Sequence, residues 1–339
     1  MHWRRRRVHR QPERGRGAPE SKATACDASF AAALRSKVRG DVKEHESLAR
    51  WSTYRIGGPA TVLMPTHAED VAVAVRHAAS AGVPWFALGL GSNLLFPDAG
   101  LDALVIRLGR GLDQITGRGE EWILGAGAPA PLVAKRTAAA GWAGLHKMVG
   151  VPGSVGGGVV MNAGCHGAEW RDVVQSVHTV DAQGNDHLVA AHDAGFSYRR
   201  SNLGHVVVVG TTVTLRQEES ARLEEETGSL YKWRKDGTPF NQPCCGSVFK
   251  NPALPADRDP ALPRTSGQFI EATGLKGLRV GGAEVSPMHA NYFINVADAE
   301  AADVLELMRT VRARVCDRWG VTLDPEVKLI GADGGVSPL

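Results

Sequence analysis

Five glycines fall within nine residues at Gly150-Val151-Pro152-Gly153-Ser154-Val155-Gly156-Gly157-Gly158, and Met161-Asn162-Ala163-Gly164 follows closely. Glycine lets backbone come close to a ligand, and successive N–H groups form a concavity that favours an anion. A structural turn rarely needs so many glycines, whereas backbone lying flat along an extended cofactor does. A shorter loop, Leu88-Gly89-Leu90-Gly91-Ser92-Asn93, lies about sixty residues upstream. It lacks the Rossmann fingerprint, because Leu94 stands where the third glycine belongs, and no Gly-Lys-Ser/Thr makes it a P-loop. Alone, this loop reads equally well as a tight turn. As a pair, the two suit a dinucleotide pyrophosphate lying between them.

The elements that must position these loops are legible in outline. A short helix is expected over Phe30–Val38, followed by a polar linker. A strand at Thr61–Met64, a helix from Asp70 to Ala81 ended by Gly82, and a strand at Trp85–Leu88 make a β-α-β unit whose second strand runs into the first glycine loop. A second helix is expected over Pro131–Ala140. Strands follow at Val174–Asp181 and from Val206 to Leu215, with a turn at Gln183-Gly184-Asn185. After a helix from Glu218 to about Lys235 come a Pro-rich loop at Pro252–Pro263, a helix near Gln268–Ala272 and a strand at Tyr292–Val296. The helix from Ala299 to Trp319 puts Val304, Met308, Val311 and Val315 on one face. A strand over Val321–Ile330 closes the chain. The class is α+β in two lobes, with a boundary near 216–220.

Composition narrows the function. The 339 residues carry a net charge of +3, but residues 1–22 hold eight Lys/Arg against Glu13 and Glu20, or +6, which leaves −3 for the rest. A tail so basic and so poor in apolar residues does not fold alone. It reads as a disordered extension or a misplaced start; a nucleic-acid arm and a transit peptide are the alternatives. The apolar region of a secretion signal is missing, and no stretch approaches a membrane span. The five cysteines include no Cys-x-x-Cys, only the vicinal pair Cys244-Cys245, which fits neither a disulfide framework nor a metal site and points to a reducing cytoplasm.

Seven motifs in order then carry a resemblance. They are Ser52-Thr53-Tyr54-Arg55-Ile56-Gly57-Gly58, the loop Gly89–Asn93, the run Gly150–Gly164, Phe196-Ser197-Tyr198-Arg199, Gly246-Ser247-Val248-Phe249-Lys250-Asn251-Pro252, His289-Ala290-Asn291-Tyr292-Phe293 and Leu323-Asp324-Pro325-Glu326-Val327. Over about residues 45–331 the chain resembles the UDP-N-acetylenolpyruvoylglucosamine reductases, in the subclass without an extra tyrosine loop. The resemblance implies a FAD-binding fold of the vanillyl-alcohol-oxidase type, then a smaller α+β substrate-binding domain. The division expected is a disordered basic extension over 1–26, a FAD-binding region of two α/β subdomains over 27–217, a substrate domain over 218–331 and a flexible tail over 332–339.

The same resemblance implies NADPH-dependent reduction of UDP-N-acetylenolpyruvoylglucosamine to UDP-N-acetylmuramate, with no obligatory protein partner, membrane or nucleic acid. FAD is expected to be non-covalent, since no histidine stands in the first glycine loop. Its contacts are expected from Arg55, Gly89, Gly91, Ser92, Asn93, Val151, Pro152, Gly153, Gly156, Gly157, Asn162 and Gly164. The motifs place an enolate-stabilising cation at Arg199, a proton donor at Ser247 and a carboxylate at Glu326. Arg234, Lys250, Asn251 and His289 are the expected substrate contacts, His289 being as well explained by a structural role.

By themselves Arg199 would read as surface charge, Ser247 as a turn serine and Glu326 as a strand-end glutamate. An anion beside a developing enolate repels it, so Glu326 is expected to be protonated through burial or paired with a cation. The chain departs from the family where Thr238-Pro239 replaces a usual Gln-Pro and where 253–264 runs long. Two rivals stay open. One is a flavin oxidase of the same fold acting on a small alcohol; the other is a nucleic-acid-binding protein, resting on the basic tail.

Overall fold

The computed structural model describes residues 26–339 apart from 256 and 258; the expected extension over 1–26 therefore lies outside the described residues except for Cys26. Helix α1, Ala28–Arg35, is capped by Asp27, whose side chain accepts from Phe30 N. A four-stranded sheet follows, with Asp41–Ser47 antiparallel to Pro59–Met64, then Leu104–Arg107 and Trp85–Leu88 in parallel. Helix α2, Ala68–Ala81, crosses between its parallel strands and ends at Gly82 in the left-handed conformation. The stretch expected as a polar linker is thus the edge strand Asp41–Ser47. Its largely exposed charged residues hide the strand signal, and pairing with the apolar Pro59–Met64 supplies it.

The second sheet is antiparallel, in the order Asp186–Ala190, Val174–Val180, Val207–Thr214, Glu121–Gly125, Ile115–Arg118. Helix α3, Ala130–Ala139, and helix α4, Val155–Val160, cover it and frame the second glycine run. Helix α5, Ser220–Asp236, was expected to open the C-terminal domain. It packs instead on α3, with Leu223 buried against Ala138 and Ala143. The strand pair Arg216–Gln217 with Trp142–Ala143 ties the chain down just before it, so the first region extends to about residue 237.

The C-terminal region is a four-stranded antiparallel sheet, in the order Cys244–Ser247, Tyr292–Asn295, Ala283–Val285, Arg279–Val280. It carries helix α6, Ser266–Ala272, and helix α7, Ala301–Trp319. The expected face of α7, Val304, Met308, Val311 and Val315, is fully buried. Tyr54 and Ile56 from the first region enter this same core.

The closing strand is shorter than expected, Lys328–Ile330, because its partner Leu94–Leu95 offers only two residues in parallel register. Residues 332–339, expected as a flexible tail, return as an antiparallel strand at Val336–Ser337. Gly334 there sits against Phe86 and Ala103. Turn-forming Gly334-Gly335 hides this hairpin in the sequence. Among the described residues no helix is long and apolar enough to cross a membrane.

Candidate active site

The two glycine runs do meet. Ser92 Oγ donates to Pro152 O at 3.0 Å, and a Cβ added at Gly89 would strike Ser154 Oγ. The Ser52–Arg55 motif buttresses the first loop: Thr53 N donates to Gly91 O at 3.1 Å, and Gly91, at φ +64°, lies so close to the Trp51 carbonyl that no side chain fits. On the other side Asn93 Nδ2 donates to Glu326 O at 3.2 Å and Lys328 N donates to Asn93 O at 3.0 Å. The loop is therefore stitched directly to the segment that carries Glu326 and leads into the strand Lys328–Ile330.

The second run is not the uniformly extended backbone that its composition suggests. Ser154 caps α4 by accepting from Gly157 N, and the chain coils through Gly156-Gly157-Gly158. Two of these glycines serve packing. A Cβ at Gly156 would press on Ala126, and one at Gly158 on the indole of Trp170, whereas Gly157 meets only Ser154 Oγ at 3.5 Å.

Both runs wall one cleft of about 1010 Å³. Gly89, Gly91, Ser92, Asn93, Val151, Pro152, Gly153, Gly156, Gly157 and Gly164 all line it, as do Arg199, Arg234, Ser247, Asn251 and Glu326. The volume is at the upper end for small-molecule sites, as an extended dinucleotide requires. Trp170 Nε1, buried and without a hydrogen-bond partner, belongs to a residue of the lining. A cleft walled by glycine backbone, with open space in front of Gly157 that a side chain would fill, fits FAD.

Four expected residues do not line this cleft. Arg55 is an exposed turn residue at φ +56°, and its neighbours Tyr54 and Ile56 point into the C-terminal core. Asn162 is buried and fully engaged: Nδ2 donates to Glu169 Oε2 at 3.1 Å and to Ser197 O at 2.9 Å, while Oδ1 accepts from Arg171 N at 3.0 Å. It holds protein rather than cofactor. Lys250 is anchored by its backbone, its N–H donating to Asp324 O at 2.9 Å. His289 is turned inward, with Nδ1 accepting from Asn291 N and its ring edge-on to Tyr292; burial pushes its pKa down, so it is neutral there. The described residues of 253–264 do not reach the cleft either.

The three expected catalytic residues come together from separate elements. Ser197 and Arg200 bridge each other, leaving Tyr198 and Arg199 at the tip of a tight turn with Arg199 at φ +54°. A non-glycine residue held there costs about 1–3 kcal/mol and persists only where its surroundings fix it. Arg199 Nε donates to Glu326 Oε1 at 3.1 Å and NH2 donates to Gly164 O at 3.0 Å, with both side chains of the pair under a fifth exposed.

Glu326 N donates to Val248 O at 2.8 Å, and Phe249 bridges Pro325. These contacts set Glu326 beside the strand that ends in Ser247. Burial raises the carboxyl pKa of Glu326 and Arg199 opposes the rise; of the two expected alternatives, pairing with a cation is the one present. The Ser247 hydroxyl has no partner among the described residues and lines the cleft. Arg234 NH2 donates to Tyr292 Oη at 2.6 Å while its buried Nε is unpartnered. Cys245 is buried and Cys244 half-buried; burial raises both thiols and keeps them protonated, against a redox role.

Two cleft residues escaped the sequence reading. Lys328, one position past the Glu326 motif, lines the wall with its pKa lowered by burial. Trp170 closes the back of α4. Lys328 opens the short strand Lys328–Ile330 directly after the Glu326 motif, and that adjacency was the available signal for it.

Comparison with known proteins adds two profile matches: residues 59–187 to a FAD binding domain, and residues 238–330 to the C-terminal domain of UDP-N-acetylenolpyruvoylglucosamine reductase. The chain is 37% identical over 301 residues to the UDP-N-acetylenolpyruvoylglucosamine reductase of Halalkalibacterium halodurans, covering 88% of this chain and 97% of that one. It is 41% identical over 299 residues to that of Rubrobacter xylanophilus, covering 85% and 95%. The crystal structure of the Thermus caldophilus reductase superposes with a TM-score of 0.72 at 32% identity, covering 86% of this chain and 99% of that one.

Proposed function

The chain belongs to the UDP-N-acetylenolpyruvoylglucosamine reductase family, and from that premise we propose that Arg199, Ser247 and Glu326 carry the family reaction here. That reaction is the NADPH-dependent, FAD-mediated reduction of UDP-N-acetylenolpyruvoylglucosamine to UDP-N-acetylmuramate, a step in making peptidoglycan precursors. The fold around it is the vanillyl-alcohol-oxidase type of FAD-binding fold. The observation that supports the residue assignment is convergence: three side chains from distant segments line one cleft between two glycine runs.

The backbone of Gly89–Asn93 and of 151–157, with Gly164, would hold FAD, which when bound would supply hydride chemistry and pass the reducing equivalents of NADPH to the enolpyruvyl methylene carbon. Electron density then accumulates on the neighbouring carbon and spreads into the substrate carboxylate. The Arg199 guanidinium faces that charge; a preorganised donor of this kind contributes about 3–4 kcal/mol to the transition state. Glu326 keeps the guanidinium aimed, its own charge balanced by Arg199. Ser247 Oγ gives its proton to the neighbouring carbon, a transfer that contact makes feasible despite a weakly acidic hydroxyl. Hydride on one carbon and a proton on the next turn the enol ether into a lactyl ether.

Arg234 and Asn251, both at the cleft, are the proposed contacts of the sugar nucleotide, with Lys250 and His289 supporting from behind. The substrate lobe begins after α5. NADPH and the sugar nucleotide use the same cleft in turn, which gives ping-pong kinetics. Free thiols at Cys165, Cys244 and Cys245 support a reducing compartment, the cytoplasm. The reaction as proposed needs no protein partner, membrane or nucleic acid.

The test is anaerobic. NADPH should bleach the visible flavin band, and UDP-N-acetylenolpyruvoylglucosamine should restore it. Ser247→Ala should bleach normally and recover several orders of magnitude more slowly. Equal loss of both half-reactions would remove Ser247 from the role of proton donor.

A further inference from the structure

Arg199 meets Glu326 through Nε; its remaining nitrogens meet a different element. Gly164–Cys165 and Ala168–Glu169 form a small hairpin in which Glu169 pairs with Gly164. Both members of that cross-strand pair reach the guanidinium. NH2 donates to Gly164 O at 3.0 Å, and NH1 lies 3.8 Å from Glu169 Oε1. Glu169 is itself fixed: Oε2 pairs with Arg171 Nε at 2.8 Å and accepts from Asn162 Nδ2 at 3.1 Å. The same Asn162 amide donates to Ser197 O, at the base of the strained turn that presents Arg199. Glu169 thus belongs to a network that grips Arg199 at its tip and its turn at the root, without lining the cleft itself.

We propose that Glu169 is a positioning residue for the reduction. As a second carboxylate on Arg199, it fixes the direction of the guanidinium and divides its charge with Glu326. This rests on the roles assigned above to Arg199 and Glu326. The inference follows from what an arginine must do there. A guanidinium with a single carboxylate partner can swing about that contact, and a misplacement of about 1 Å at a reacting centre costs on the order of a hundredfold in rate. A second carboxylate at ion-pair distance, itself held by Arg171 and Asn162, restrains the swing together with the Gly164 carbonyl.

The charges that bear on Glu326 are Arg199, Lys250 and Arg234, with Lys328 two residues on and the Cys245 thiol nearby. Those that bear on Arg199 are Glu169 and Glu326. Neutralising Glu169 removes a negative charge from the pair and leaves Arg199 wholly to Glu326. Both effects favour ionised Glu326, so its titration moves to lower pH.

Two measurements on the FAD-loaded protein test this. In the first, flavin bleached by NADPH is mixed anaerobically with the sugar nucleotide. E169Q should recover colour about ten- to a hundredfold more slowly than wild type, with bleaching unchanged within about twofold. In the second, without substrate, the Glu326 carboxyl is titrated by infrared difference against E326Q. The midpoint should fall in E169Q and stay in place in E169D, which keeps the charge but shortens the reach.

Wild-type recovery with an unmoved midpoint in E169Q overturns the proposal. So does equal slowing of bleaching and recovery, the mark of a merely structural residue. Should E169Q not hold FAD, E169D decides: slower recovery with normal bleaching and an unmoved midpoint supports positioning, and wild-type recovery refutes it. If wild type itself bleaches but never recovers, the assigned reaction fails; the titration still decides whether Glu169 shares Arg199.

Discussion

Gly157 and Gly158 are adjacent in one helical turn and both line the cleft, yet a Cβ would meet different surroundings at the two, and alanine separates them. A Cβ on Gly158 would lie against Trp170 Nε1 and 2.9 Å from Cε2. Trp170 is 1% exposed, so its ring cannot retreat into solvent. Overpacking of this kind costs about 1–3 kcal/mol, set against about 1 kcal/mol gained when alanine replaces glycine within a helix. Gly158→Ala should therefore lose up to about 2 kcal/mol. For a chain of this size that is a fall of up to about 3 °C in melting temperature.

A Cβ on Gly157 meets only Ser154 Oγ at 3.5 Å, an ordinary contact, and Gly157 lines the cleft. Gly157→Ala should keep or slightly raise the fold's stability while its methyl group displaces a ligand lying along the backbone. A tenfold loss of FAD affinity corresponds to about 1.4 kcal/mol, and a loss of at least that size is expected. Thermal melts of the FAD-free protein read fold stability, and FAD titrations followed by flavin fluorescence read affinity, so the two effects are measured separately. A Gly157→Ala protein that melts early yet binds FAD normally would refute the assignment of these glycines. So would a Gly158→Ala protein with unchanged melting and lost FAD binding.

His146 offers a pH test. Its Nδ1 accepts from Gly144 N at 3.2 Å, so the neutral ring carries its proton on Nε2, 3.5 Å from Glu226 Oε1. Burial lowers its pKa and Glu226 only partly restores it. The folded state therefore binds fewer protons than the unfolded one below about pH 6.5, and stability falls as pH drops through that value, by at most about 1.4 kcal/mol per unit. The melting-temperature difference between pH 7.5 and 5.5 should be smaller in His146→Gln than in wild type; an equal difference would remove His146 as a cause. Truncation after Ile330 removes the strand Val336–Ser337, together with Gly334 and Gly335 from the cleft wall. It should lower the melting temperature and weaken FAD binding in equilibrium titration, whereas a dispensable tail would change neither.

The residue string by itself determined whatever depends on neighbours in sequence. Helices α2 and α7 are readable because an apolar stripe at helical spacing and a left-handed glycine at the end are local signals; Gly82 and Gly320 both adopt that conformation. The glycine runs stand out by composition, whereas Arg199, Ser247 and Glu326 were candidates only through the resemblance that ordered short motifs carry. Tertiary structure alone decided what depends on partners far along the chain. Asp41–Ser47 becomes a strand only beside Pro59–Met64, and α5 joins the first region only because Leu223 finds Ala138 and Ala143. The motif Asn162 proved to be a clamp and Arg55 a surface turn residue, because which way a side chain points is set by contacts the motif does not contain. The pairing of Arg199 with Glu326 spans 127 residues and that of Asn93 with the Glu326 carbonyl 233. Closing loops of that length requires the folded cores on both sides, and no local pattern encodes where they meet.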